Sequence, residues 1–283
     1  MGPGGGAFKE GQSVTRALVV QDLGVLSGEV MVFGGPYSNL QATQALIAQA
    51  AARGVPASHC ICTGDVVAYC ADAAETVTAI RDFGCPVVAG NCEKQLAAGS
   101  ADCGCGFEEG TECELLSAGW YAYAKARITA TDRDWMRGLP DIVTFRHDRR
   151  RVAVIHGGVT DVARFLWPTS EVAEFSEEVA EIEAAVGTCD QVIAGHAGLA
   201  FARDIDAVQW INAGVIGMPP HDGRPETRFT ILSGSGAVFH RLGYDHGAAF
   251  AAMQRAGLKQ GYDRGLQSGF WPSEDVLPAA LRR

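Results

Sequence analysis

Cys60-Ile61-Cys62-Thr63-Gly64-Asp65-Val66-Val67 is an apolar run that ends in glycine and delivers a carboxylate at once. A buried strand that stops at a glycine turn places one charged side chain at the mouth of a sheet. The arrangement recurs at Pro86-Val87-Val88-Ala89-Gly90-Asn91, at Val152-Ala153-Val154-Ile155-His156-Gly157 and at Val192-Ile193-Ala194-Gly195-His196. Each run closes on Asp, Asn or His, so four strand ends are expected to build one site at one edge of a sheet. Asp65, Asn91, His156 and His196 form a hard-to-borderline ligand set, suited to Mn, Fe or Zn more than to a soft ion.

Outward from these runs, the first ninety residues read β-α-β-α-β. Strands are expected at 17–20 and 30–33, a helix from its cap Asn39 to about 53, a strand at 59–62, a helix at 71–83 and a strand at 87–89. That alternation marks a layered α/β domain. Residues 94–139 break it, first with a stretch rich in Cys and Gly, then with a helix near 115–126 and a short one carrying Trp135 and Met136. The second half is strand-rich, with runs at 142–145, 152–156, 192–194, 207–212, 229–232 and 238–242 and one acidic helix at 170–186. The expected organisation is a single sheet sandwich with flanking helices. It has an N-terminal extension with an edge strand (1–28, glycine-rich at its start), a body (29–242) with an insertion (94–139), and a helical tail (243–283).

Composition narrows the partners. Acidic residues outnumber basic ones, 33 to 23, and the net charge of −10 excludes sequence-independent nucleic-acid binding, which needs basic tracks. The densest basic run, Arg149-Arg150-Arg151, sits in a turn before a strand. No apolar run reaches the ~18 residues of a membrane span and no signal peptide opens the chain, so a cytoplasmic protein without membrane contact is expected. Nine clustered cysteines, an odd count, argue against a secreted disulfide framework. Cys103-Gly104-Cys105, with Cys113 and with Cys92 beside Asn91, is compatible with a thiolate site, with buried thiols or with a local disulfide. Its spacing matches no zinc ribbon or ferredoxin pattern.

The series Gly64-Asp65, Gly90-Asn91, His156-Gly157 and Gly195-His196, with Ile211-Asn212-Ala213-Gly214 downstream, resembles the calcineurin-like metallophosphoesterase superfamily. It is most similar to small bacterial and archaeal members with Cys after the Asn, as Cys92 is here. The resemblance spans roughly residues 29–242. It implies a four-layer αββα sandwich and hydrolysis of small phosphorylated molecules at a metal site where the strand-end loops meet. The family's opening Asp-x-His motif is altered: Gly35 stands in place of the Asp and Tyr37 in place of the His, before Ser38-Asn39-Leu40. In Gly195-His196-Ala197-Gly198, Gly198 stands where a second His would be. The three missing side chains would all serve one metal position, whereas the ligands of the other are present. The resemblance therefore implies one divalent transition metal rather than two.

Further candidates surround that half site. Asp65 is a terminal ligand or a base, Tyr37 a proton donor to a substrate oxygen, and Cys92 a weak acid, nucleophile or extra ligand. Asn39 adjoins the altered motif, and Asp161 follows His156 closely enough to be its supporting partner. His221 and Arg224 lie in a turn that could face phosphate, and Phe165-Leu166-Trp167-Pro168 is apolar enough for a lid or an interface. Three functions are compatible with these residues: a single-metal phosphoester hydrolase, a metalloenzyme of another class with a cysteine-assisted redox metal, and a non-catalytic metal- or ligand-binding protein. The quaternary state is open, a homo-oligomer included.

Overall fold

The computed structural model describes residues 17–106 and 110–283; the glycine-rich start of the chain lies outside them. β1 (Val20–Val25) is followed by β2 (Val30–Phe33), α1 (Leu40–Arg53), β3 (Cys60–Cys62) and α2 (Ala73–Phe83). Next come α3 (Asn91–Ala98), α4 (Glu112–Lys125) and α5 (Ala130–Arg137). β4 (Ile142–His147), β5 (Arg150–Val154), α6 (Val172–Val186), β6 (Gln191–Ala194), β7 (Phe201–Ile205) and β8 (Val208–Asn212) follow. β9 (Thr227–Ser233), β10 (Gly236–Leu242), α7 (His246–Ala256) and α8 (Tyr262–Ser268) complete the order.

The strands form two sheets, one in the order β1-β4-β5-β6-β8-β7 and one in the order β10-β9-β2-β3. Between them lies a dry layer that includes Val30, Val32, Ile61, Val143, Val152, Val154, Ile193 and Ile211. Each such side chain contributes about 1.5–3 kcal/mol on burial. The outer face of the small sheet packs on helices through Met31, Phe33, Leu46, Val77, Ile80 and Trp120. The outer face of the large sheet packs on α6 through Phe175, Val179 and Ile182. The result is a mixed α/β sandwich of four layers, αββα. Residues of the tail, Ala249, Met253 and Leu266 among them, join the core over the small sheet.

Several elements differ from the sequence expectation. The first strand runs over Val20–Val25 rather than 17–20, because the Val19 carbonyl is taken by the amides of Asp141 and Ile142 and pairing with β4 begins beyond it. Residues 87–89 form only an isolated bridge, Cys62 to Val87. α3 was not expected; it starts at Asn91 itself, directly after the glycine turn. β7 was also not expected; it forms a hairpin with β8 across Asp206-Ala207, with Asp206 in the left-handed region at φ 53°.

β5, β6 and β8 run parallel. β2 and β3 are parallel too, and the end of β2 is tied to the segment after β8 by the Gly34 amide donating to the Gly214 carbonyl at 2.9 Å. Both sheets therefore release their loops at one shared edge, as expected for parallel α/β strands.

Candidate metal centre

Four strand-end loops bring Asp65, Asn91, His156 and His196 together, and all four are buried. One ligand atom each from Asp65, His156 and His196 lies within 4.8 Å of the others. His156 decides the chemistry of the group. Its Nδ1 lies 2.6 Å from the Thr63 carbonyl, which can only accept, so Nδ1 carries the proton. In the neutral ring Nε2 is then a lone pair, 3.1 Å from Asn91 Oδ1, 3.0 Å from His196 Nδ1 and 3.3 Å from Asp65 Oδ2. The Asn91 amide is oriented from behind, its Nδ2 donating to the Cys103 carbonyl at 3.0 Å, so that Oδ1 faces His156. With His156 neutral and His196 carrying its proton on Nε2, four lone-pair atoms converge. This donor set fits a divalent cation.

Electrostatics follow from burial and charge. Burial works to lower His156, but the Asp65 carboxylate outweighs it and holds the imidazole above its ordinary value. Burial works to raise Asp65, and His156 outweighs it, holding the carboxyl below its ordinary range. His196 is pushed down to about 3 by burial and by His156, so its ring is neutral. Its Nε2 is buried and makes no hydrogen bond of ordinary geometry, although the Ala163 backbone lies close enough to act on the ring.

The backbone that delivers these groups is strained where it matters. Asp65 and His196 sit at φ 56° and 45°, a region costly for non-glycine residues and found at functional sites. Gly64, at φ 98°, has no room for a side chain: a Cβ there would lie 2.6 Å from the Gly90 amide nitrogen and 2.9 Å from His156 Nδ1.

Sequence reasoning missed Glu93, which is fully buried. Its carboxyl accepts the amides of Asp65 (2.8 Å), Val66 (2.8 Å) and Gly90 (3.0 Å), clamping the Asp65 loop to the Asn91 loop. Burial, reinforced by Asp65, raises it to about 7. A capping signal was available, since Glu93 is the third residue of α3 and its side chain caps the Gly90 amide.

The other half of the site holds rings. Tyr37, at φ 52°, folds back so that its ring fills the space a Cβ on Gly35 would need. Its ring meets Tyr69 edge-on at 4.8 Å, and Tyr69 meets Tyr262 of the tail at 4.5 Å. Trp271 covers Gly198, 3.4 Å from where its Cβ would be. These residues enclose a cavity of about 60 Å³, with Asp65, His196, Phe165, Cys105, Cys113 and Met218 also on its wall and, among the described residues, no Lys or Arg.

The remaining candidates are placed as follows. Tyr37 keeps its proton, since burial and then Asp65 raise the phenol well above its ordinary value. The Cys92 thiol is likewise raised, by burial first and Asp65 second, and its amide donates to Asp65 Oδ1 at 3.2 Å. Cys103 and Cys105 form a disulfide, whereas Cys92 and Cys113 are free and buried. Asn39 is not at the cavity: its Oδ1 caps α1 at the Ala42 amide and its Nδ2 donates to the Gly217 carbonyl. Asp161 is exposed and accepts from the Ala163 amide, so it does not support His156, whose outer nitrogen is taken by Thr63. His221 does not face the cavity either; it pairs with Glu274 at 2.8 Å and accepts the Trp271 amide at 2.9 Å, pinning the tail. Arg224 is exposed. Phe165 stacks on Trp167 and lies 4.2 Å from the His196 ring, as part of the cavity wall. Among the described residues, no helix is long and apolar enough to cross a membrane.

Comparison with known proteins places this geometry. No curated protein matches the chain. A hypothetical protein from Pyrococcus horikoshii shares the fold with a TM-score of 0.70 at 13% identity, over 86% of this chain and 99% of that one. A metallophosphoesterase from Sphaerobacter thermophilus does so with a TM-score of 0.63 at 18% identity, over 85% and 99%. The model of the calcineurin-like phosphoesterase superfamily domain matches residues 37–234, more than half of the chain. The chain belongs to the calcineurin-like phosphoesterase superfamily.

Proposed function

We propose that this protein is a metal-dependent phosphoester hydrolase working with one divalent transition ion, Mn, Fe or Zn, held by Asp65, Asn91, His156 and His196. The observation that carries this reading is the forced tautomer of His156: with Nδ1–H spent on Thr63, Nε2 is a lone pair aimed at three further electron-rich atoms. When bound, such an ion polarises a phosphoryl oxygen and acidifies a water. The chain's own residues do the rest. Asp65 accepts the Cys92 amide through Oδ1, which leaves Oδ2 for the ion. Neutral His196, ligating through Nδ1, keeps its proton on Nε2, a buried donor that a phosphoryl oxygen can use. Tyr37, whose phenol holds its proton, is a second donor across the cavity.

Charge narrows the substrate. Among the described residues the cavity wall carries no Lys or Arg, which suits a singly charged diester better than a doubly charged monoester. The aromatic wall formed by Tyr37, Tyr69, Phe165, Tyr262 and Trp271 suits an apolar or planar ester group. The test is elemental analysis of the purified protein together with hydrolysis of bis(p-nitrophenyl) phosphate and p-nitrophenyl phosphate. The expected result is about one ion per chain, with preference for the diester and no turnover after chelation. An Asp65→Ala protein that keeps its full metal content would remove the site assignment.

A further inference from the structure

The wall next to Asn91 contains sulfur that the hydrolytic reading does not use. Cys103 and Cys105 are joined in a disulfide, 3% and 6% exposed, between the exposed residues Asp102 and Gly106. Cys105 is on the cavity wall, and the free thiol of Cys92 also borders Asn91. The Asn91 Nδ2 donates to the Cys103 carbonyl at 3.0 Å and lies 3.5 Å from both Cys105 Sγ and Cys92 Sγ. We propose that the Cys103–Cys105 pair is a redox-active site whose disulfide form holds Asn91 in the orientation that binds the ion.

The physical reason lies in the amide. Asn91 Oδ1 faces His156 Nε2 at 3.1 Å. Rotating the amide by half a turn would swing Nδ2, which offers no lone pair to an ion, toward the site. The contacts to the Cys103 carbonyl and Cys105 Sγ oppose this rotation, and both come from the loop that the disulfide closes. Within this loop the Gly104 amide donates to Asp102 at 2.9 Å, a local turn that does not reach Asn91. Opening the bridge therefore loosens the group that keeps Oδ1 pointed at the site. Groups that orient a metal ligand from behind are worth about 10–100-fold in metal affinity.

The chemistry is thiol–disulfide exchange with a dithiol reductant. One reductant thiolate bonds to Cys105 Sγ, the sulfur on the cavity wall, as the Cys103–Cys105 bond breaks. The electron pair leaves on Cys103, which takes up a proton. The second reductant thiol then displaces Cys105, which is protonated in turn. The pair gains two electrons and two protons, and the reductant leaves as its own disulfide.

The inference rests on the proposed ion site, so the experiment separates the two. Full-length protein purified without reductant is alkylated and mapped by mass spectrometry, which should find Cys103 joined to Cys105; two free thiols at these positions would overturn the proposal. Metal-free protein is then titrated with Mn²⁺ by calorimetry in the disulfide form, and again after reduction with dithiothreitol and anaerobic removal of the reagent. The disulfide form should bind at least ~10-fold more tightly, and Asp65→Ala should not bind in either form. Equal affinity in the two forms overturns the redox inference and leaves the ion site standing. Absence of binding in both forms removes the ion site. In that case the Asn91 side-chain amide resonance, assigned by its loss in Asn91→Asp, decides the redox inference. A resonance that moves on reduction supports it, and one that stays overturns it. Cys103→Ser/Cys105→Ser, if it folds, should behave as the reduced form.

Discussion

The site has a polar wall, whose Asp65 and His196 reach the cavity, and an aromatic wall, and the two are organised in different ways. On the polar wall three of the four ligand candidates are aimed by backbone: His156 by the Thr63 carbonyl, Asn91 by the Cys103 carbonyl, Asp65 by the Cys92 amide. On the aromatic wall Tyr37 lies over Gly35 and Trp271 covers Gly198, so each of these two glycines has a ring packed where a side chain would start. A carboxylate at position 35 has no room, because the Tyr37 ring takes the space. One wall is held by hydrogen bonds to backbone and the other by ring packing.

The largest effect expected from breaking the polar wall is loss of the ion. His156→Ala should reduce metal content from about one ion per chain to none. Because Nδ1 is committed to Thr63, protonation of His156 occurs on Nε2, the ligand atom. Asp65 raises this pKa in the metal-free chain, so ion affinity should fall as pH drops through that raised value, by up to about tenfold per pH unit for one competing proton. Calorimetric titration across pH checks the sign; affinity that stays flat or improves in acid would contradict it.

Next is the clamp beneath the wall. Glu93→Ala leaves three buried amides without their acceptor, and at about 1–3 kcal/mol for each unsatisfied group the loss should reach about 3 kcal/mol or more. Urea unfolding measures it. Glu93→Gln, which keeps one acceptor oxygen, should lose less.

The aromatic wall is sharpened by placing a side chain where a ring packs. Gly35→Asp alone should cost about 1–3 kcal/mol, since its Cβ meets the Tyr37 ring. Adding Tyr37→His should recover part of that cost, with a coupling of about 0.5 kcal/mol or more in a double-mutant cycle. Strict additivity would mean that the two positions are not packed as a pair. The smallest change should come from Asp161→Ala, an exposed loop residue away from either wall, within about 0.5 kcal/mol and without effect on metal content.

The polar wall was readable because its logic is local. An apolar run, a glycine and a ligand-bearing residue occur in one short stretch, and Asp65, Asn91, His156 and His196 each follow that pattern. Glu93 was not readable as a clamp, since two of its three partners are amides 27 and 28 residues earlier, and amides exist at every position. Asp161 and His221 show the converse. Proximity in sequence placed them near the site, but a local turn and the tail claim their side chains.

The chain's own order of residues determined the layered α/β fold and the four converging ligand candidates. Those features depend on periodicity and on residue type at strand ends, which are written locally. Tertiary structure decided that rings pack over Gly35 and Gly198, that the tail roofs the cavity and that Cys103 and Cys105 pair behind Asn91. The roof and the placement of the disulfide behind Asn91 join segments whose spacing in sequence says nothing about their distance in space.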